Sequence, residues 1–371
     1  MAAHSFPSSP GKQFEDFLRK SDQIKDARLA GAIPREYFAP RVRRGLLGFA
    51  ASWTLYIGAS VAMAFSPSWL LDPPLLVVAG LGGWGLHCIG HDCGHGSFSR
   101  SRKLNSLVGH LSLLPLIYPF HAWRHVHNLH HAHTNNLELD TDWAPMPGAV
   151  YDRLPPWKKL IYRGVRTWAF WGGTINYWRV SGFRPSFFPK KEMRRDVRRS
   201  IWFVMACCVL YFPPLVYFTG VRGVLLYFVA PWFLTHAWFS TTTLMQHSAS
   251  DVPYLTSEYW TKNAGRLLLT TDYRYPRWLL FLTHNISVHT AHHVAPPVPF
   301  YNLPQAQEAL KAAYPGMIRE RELKIGYLWC IVRRLHFYDT ESGYYADFAG
   351  VGVAPATEDG QRQAETLQAA S

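Results

Sequence analysis

The sequence predicts an all-α integral-membrane fold, with four transmembrane helices in two hairpins closed on one face by a cytoplasmic helical cap. Three observations carry that prediction. Of the 371 residues, 48% are hydrophobic and only 17% charged, against roughly 25% charged in average soluble proteins. Four stretches of 19 to 28 residues hold no Asp, Glu, Lys or Arg. Those stretches leave 37 of the 38 Lys and Arg on one side.

Residues 1–44 carry nine of these cations and begin MAAHSFPSSPGKQFEDF. That opening lacks an apolar core, so it predicts a cytoplasmic segment and no signal peptide. Residues 45–350 form the membrane domain. The first uncharged run, Gly45–Leu71, has 27 residues, and the second, Pro73–His91, has 19. Ser200–Val221 and Gly223–Ser250 supply 22 and 28 more. A spanning helix needs about 20 apolar residues, which places crossings at 45–66, 73–91, 200–221 and 223–247. SPSWLLDPP (66–74) and TGVRG (219–223) are the turns. Helices buried in a soluble core would show a polar face, which these runs lack. With Arg222 alone in a turn, the positive-inside rule assigns residues 124–199 and the chain beyond Asp251 to the cytoplasm. The net charge of +13 then answers a membrane surface and not a nucleic acid. Residues 351–371 have few large apolar side chains and are expected to be disordered.

A fifth apolar run, 104–123, contains Pro115, Pro119, His110 and His121. If it crossed, residues 124–199 and their 14 Lys and Arg would move outside. A re-entrant or interfacial segment is expected instead. The five cysteines, Cys88, Cys93, Cys207, Cys208 and Cys330, form no CxxC pair. They predict reduced thiols, with no structural zinc and no iron-sulfur cluster.

The 18 histidines concentrate in three clusters: His91-Asp-Cys-Gly-His95, His127-Asn-Leu-His130-His131 and His289-Thr-Ala-His292-His293. Residues three and four apart share a helix face, so each cluster presents its imidazoles together. Eight nitrogen donors exceed one tetrahedral zinc and suit two metals of higher coordination. His247 ends the last crossing on the same face and reads either as a ninth ligand or as a core residue. His87 reads as packed within its helix, and His110, His121, His125, His133 and His284 as supports for the ligands or as structural residues.

Imidazole-rich, carboxylate-poor sites suit iron, copper or zinc. A site at the mouth of an apolar bundle points to a lipid or hydrocarbon substrate. Attack on its unactivated C–H bonds needs an oxidising centre and dioxygen, and two iron ions can share that oxidation. Gly80, Gly82, Gly83, Gly85 and Gly90 serve close helix packing or leave room for an acyl chain. Asp92 and Asp140 are the preferred acids to orient ligand imidazoles through their second ring nitrogen. Glu138, Asp142 and Asp272 read equally as helix-end or solvent charges.

HDCGHGSFS (91–99), Trp123-Arg124 with HVHNLHH (125–131), Thr134-Asn135 with Asp140, and HNISVHTAHHVAPPVPFYN (284–302) together resemble the membrane fatty acid desaturases with three histidine boxes. Gln246-His247-Ser248 and Thr271-Asp272-Tyr273 are similar to the branch that makes Δ12 and ω3 double bonds, especially its cyanobacterial members. The resemblance spans about Gly90 to Asn302. It implies an O2-dependent acyl-lipid desaturase, with His91, His95, His127, His130, His131, His289, His292 and His293 as iron ligands. Ala249 stands where that branch suggests a second histidine after His247, which bears on regiochemistry and not on reaction class. No cytochrome b5 domain is seen at either end. The resemblance therefore implies an external electron donor, ferredoxin or else cytochrome b5. A di-iron hydroxylase of alkanes, carotenoids or acyl chains is the nearest rival reading. A metal transporter, whose sites lie at the bilayer midplane, is more distant.

Overall fold

The structure is a computed structural model and describes residues 11–353. Of the expected disordered tail, Gly352 bridges Ala346 and Val353 is buried; the remainder lies outside the described residues. Helices dominate, as the uncharged runs require. The departure from an all-α chain is two short ladders: a parallel pair, Asp272–Arg274 with Glu320–Glu322, and an antiparallel pair, Phe337–Tyr338 with Tyr345–Ala346.

Among the described residues, three helical stretches are long and apolar enough to cross a membrane: Val42–Ala64, Trp69–His95 and Lys191–His247. The helix Val42–Ala64 (α2, following α1 at Lys12–Ile24) buries little of itself. Its side chains Leu47, Ile57 and Val61 stay exposed, as a lipid-facing helix needs. The Asp72–His95 helix (α3) opens on Asp72 with Pro73 and Pro74 in the first turn, where missing N–H groups cost nothing. It stops at His95, because Gly96 takes the left-handed conformation (φ 74°) and its N–H turns back to the Asp92 carbonyl. From Ala79 to Cys93 this helix is buried throughout.

Glycine accounts for that burial. A Cβ on Gly82 would lie 2.6 Å from the Tyr56 backbone nitrogen of α2, and one on Gly80 would lie 2.7 Å from Leu234 Cβ. The glycine face is consumed by α2 on one side and the Ala230–His247 helix on the other. It leaves no room there for an acyl chain.

The third stretch has 57 residues and would measure about 85 Å if straight, nearly three times a hydrocarbon core. It is not straight. Gly220 adopts φ 62° and ψ −164°, which is non-helical. The rings of Phe212 and Phe228 meet edge-on at 4.8 Å, although 16 residues of straight helix would separate them by about 24 Å. The chain folds back on itself at Gly220.

The run 104–123 breaks into two helices, Arg102–Ser112 (α4) and Phe120–His133 (α5), joined by a 3-10 turn at Leu114–Leu116. Its tip packs beside the Ala230–His247 helix. There two indoles satisfy carbonyls that the break leaves free: Trp232 Nε1 donates to Leu116 O at 3.0 Å and Trp178 Nε1 to Ile117 O at 2.9 Å. Non-helical backbone at membrane depth persists only where the protein supplies such partners.

One part of the chain beyond Asp251 also reaches the spans. The segment after the Arg277–Leu282 helix lies against α2 and α3: a Cβ on Gly85 would meet Leu282 O at 2.7 Å, and His284 Nε2 pairs with Ser52 Oγ at 2.8 Å. Ser52 lies about two helical turns beyond Gly45. His284 and Asn285 both take positive φ, and this turn sends the chain back toward His289. The rest of the cap closes around Phe14, Phe17 and Ile24 of α1, packed with Leu267, Val294, Leu303 and Leu310.

Candidate metal centre

Four elements deliver histidine to one place. The last two turns of α3 carry His91 and His95, α5 carries His127, His130 and His131, and the short helix His289–Val294 carries His289, His292 and His293. His247 ends the fourth.

They sort into two groups. Donor atoms of His91, His95, His127, His131 and His292 lie within 4.8 Å of one another, as do those of His130, His247 and His293. His289 joins the second group, with its Nε2 at 2.8 Å from His247 Nε2 and 2.9 Å from His293 Nε2. Other pairs are similar: His130 to His247 at 3.2 Å, His127 to His131 at 3.0 Å and His131 to His292 at 3.1 Å. Two nitrogens bound at right angles to one ion, at about 2.1 Å each, stand about 3.0 Å apart. The spacing therefore fits a cation in each group.

The donor chemistry agrees. Burial, reinforced by neighbouring imidazoles, holds His127, His131, His289, His292 and His293 well below the ordinary histidine range. These rings are neutral, as metal binding requires. Burial also pulls on His130, but the carboxylates of Asp140 and Asp142 outweigh it and raise His130 instead.

Two rings have their orientation fixed by hydrogen bonds. His130 Nδ1 donates to Asp140 Oδ1 at 2.8 Å, and Asp140 is itself held by the N–H groups of Asn135 (2.7 Å) and Asp142 (3.0 Å). Thr134 Oγ1 gives its proton to the His130 carbonyl at 3.0 Å, so it accepts from His293 Nδ1 at 3.1 Å. Both bonds put the proton on Nδ1 and aim the Nε2 lone pair into the centre.

The acids divide. Asp140 bonds the ring of His130. Asp92 makes no such bond to its neighbour: its carboxylate lies 3.8 Å from His91 Nδ1 and instead accepts the Phe300 N–H at 2.9 Å. Adjacent helix residues point about 100° apart, so Asp92 turns away from the ring beside it and ties α3 to the loop after the third cluster. Asp272, which the sequence left open between an acid that orients an imidazole and an ordinary charge, is buried beneath the third cluster. It accepts the backbone N–H groups of His289 and of Thr290 (2.9 Å), the Thr290 hydroxyl (2.6 Å) and Gln307 Nε2 (2.7 Å). Thr134 and Gln307 were not singled out as site residues. The one sequence signal was that Thr134 and Asp272 fall inside the quoted family segments.

The remaining histidines among the described residues stay outside the two groups. His87 stacks on Trp84 (centroids 4.9 Å), His110 bonds Ser200 Oγ at 2.8 Å, and His284 bonds Ser52.

Comparison with known proteins agrees with this geometry. A family model described as fatty acid desaturase matches residues 67–321. An sn-1 oleoyl-lipid 12-desaturase of Picosynechococcus sp. is 34% identical over 327 residues, covering 88% of this chain and 94% of its own length. One from Synechocystis sp. is 34% identical over 342 residues, covering 91% and 94%. A chloroplastic omega-6 fatty acid desaturase of Arabidopsis thaliana is 32% identical over 336 residues, covering 90% and 73%.

Proposed function

Because the chain belongs to the fatty acid desaturase family, we propose that it inserts a cis double bond at the 12 position of a lipid-bound acyl chain, using two irons and O2. The observation that carries this reading is the convergence of nine imidazole nitrogens into two adjacent groups at the end of apolar helices. The regiochemistry rests on relatives named as 12-desaturases at 34% identity. The reaction removes two hydrogens from adjacent CH2 groups. With two electrons and two protons from outside, O2 leaves as two waters.

In this reading His91, His95, His127, His131 and His292 hold one iron, and His130, His247, His289 and His293 hold the other. An iron pair supplies the oxidising power for an unactivated C–H bond. The protein's own part is positional. Asp140 and Thr134 fix two imidazoles, Asp272 and Gln307 anchor the helix that brings three, and burial keeps bulk water from the donors.

The proposed topology is four crossings in two hairpins, with the histidines on the cytoplasmic side. It is supported by the reversal at Gly220, by the broken run at Leu114–Leu116, and by the 37 of 38 Lys and Arg on one side. The same basic face favours a small acidic electron carrier, ferredoxin or else cytochrome b5, because opposite charges steer encounter. Turnover at limiting donor should fall as salt rises from about 0.1 to 1 M; indifference to salt would remove this docking argument.

The test is expression in a host rich in monounsaturated lipid, followed by fatty acid profiling. Diunsaturated chains carrying a new bond at the 12 position are expected. A hydroxylated product, or an unchanged profile in cells that contain the iron-loaded protein, would overturn the reading.

A further inference from the structure

The face opposite the metal centre is almost without charge. Within the two turns, residues 66–74 and 219–223, there is one acid, Asp72, and one base, Arg222. Both line a single cavity of about 390 Å³ between the turns, together with Ser66, Ser68, Trp69 and Tyr227. That volume lies within the roughly 300–1,000 Å³ of small-ligand sites.

The two charges share the cavity without meeting. Among the described residues, neither the Asp72 carboxylate nor the Arg222 guanidinium makes an ion pair or a hydrogen bond. A simple clasp between hairpins would bring them within bonding distance. Of the hydroxyls at this end, Ser66 Oγ is committed to Ser68 O (2.8 Å) and Thr219 Oγ1 to Leu215 O (2.6 Å). Around the cavity, Trp69 and Phe218 are 70% and 78% exposed, as aromatics are at a lipid headgroup boundary. Beside it run the exposed Val61, Phe65 and Val221.

A ligand matching this arrangement carries one negative and one positive group a short distance apart, with apolar chains beneath. We propose that the cavity is a headgroup site for a zwitterionic phospholipid of the leaflet opposite the metal centre. The phosphate faces Arg222, the ammonium faces Asp72 and Trp69, and the acyl chains lie along the two hairpins. Such a lipid fills the cavity between the two hairpin ends. The proposal rests on the two-hairpin topology above.

Native mass spectrometry of the purified full chain tests it, with phosphatidylethanolamine and phosphatidylglycerol of identical acyl chains as probes. The unmodified protein should retain phosphatidylethanolamine over phosphatidylglycerol. Asp72→Asn and Arg222→Gln should each lower that retention about tenfold, the loss of one charge-assisted contact. Iron content should not change, since the metal centre lies at the other end of the spans, and it reports that each variant has folded. Equal retention of the two lipids by the unmodified protein, or undiminished retention in both variants, would overturn the site. A failure of the topology would show separately, as cysteines placed at Ser68 and Thr219 that no reagent reaches from the outer face.

Discussion

His130 and His131 are neighbours in sequence, yet their rings turn to different groups, with planes 77° apart and centroids 5.7 Å apart. His292 and His293 part in the same way, at 85° and 5.8 Å. Each double histidine thus straddles the two groups, and the step between adjacent helix residues sets how close those groups lie. The i, i+4 and i, i+3, i+4 spacings made the donors legible in the sequence. The sorting into five and four was not, because it depends on how four helices from distant parts of the chain face one another. Asp140 was readable for its place after the second cluster, whereas Asp272 acts through backbone N–H groups and leaves no spacing signature. Asp140→Asn keeps the shape but weakens the bond that fixes His130. It should lower metal affinity about 10–100-fold, read by chelator competition on the purified protein. Affinity equal to the unmodified chain would mean that packing alone orients His130.

Among the elements, the uncharged runs gave the long helices to within a few residues at most ends, since hydrophobic length is a local property. The helices overrun those limits where they leave the apolar zone. Helix α3 continues to His95, and the third stretch begins at Lys191, nine residues before the first uncharged position. The prolines foretold the break in 104–123, but the partners of its tip were invisible, because Trp178 and Trp232 come from segments 61 and 116 residues away. Trp232→Phe strands the carbonyl of the buried Leu116, and Trp178→Phe that of the half-buried Ile117. Each should cost about 1–3 kcal/mol, seen as lowered thermal stability of the solubilised protein. Trp171→Phe removes similar volume from a ring that packs on Phe233 and should cost less. Equal losses in all three would assign the effect to packing rather than to the carbonyls.

For the whole molecule, charge distribution and histidine placement bear on one another. The four crossings proposed above would put all three clusters on the basic face, and the bonding distances among them require a common face. In a background without its five native cysteines, a cysteine near Lys158 should label only from the cytoplasmic side. Labelling there from the outer side would break the topology and with it the site. The central claim is that nine histidines hold two irons, five in one group and four in the other. Iron per chain, measured on the purified protein and on single variants from each group, tests it most directly. The unmodified chain should hold two irons, and His95→Ala, His130→Ala and His247→Ala should each lose iron while still inserting into the membrane. One metal per chain, zinc in place of iron, or full iron content in both His130→Ala and His247→Ala would contradict the account.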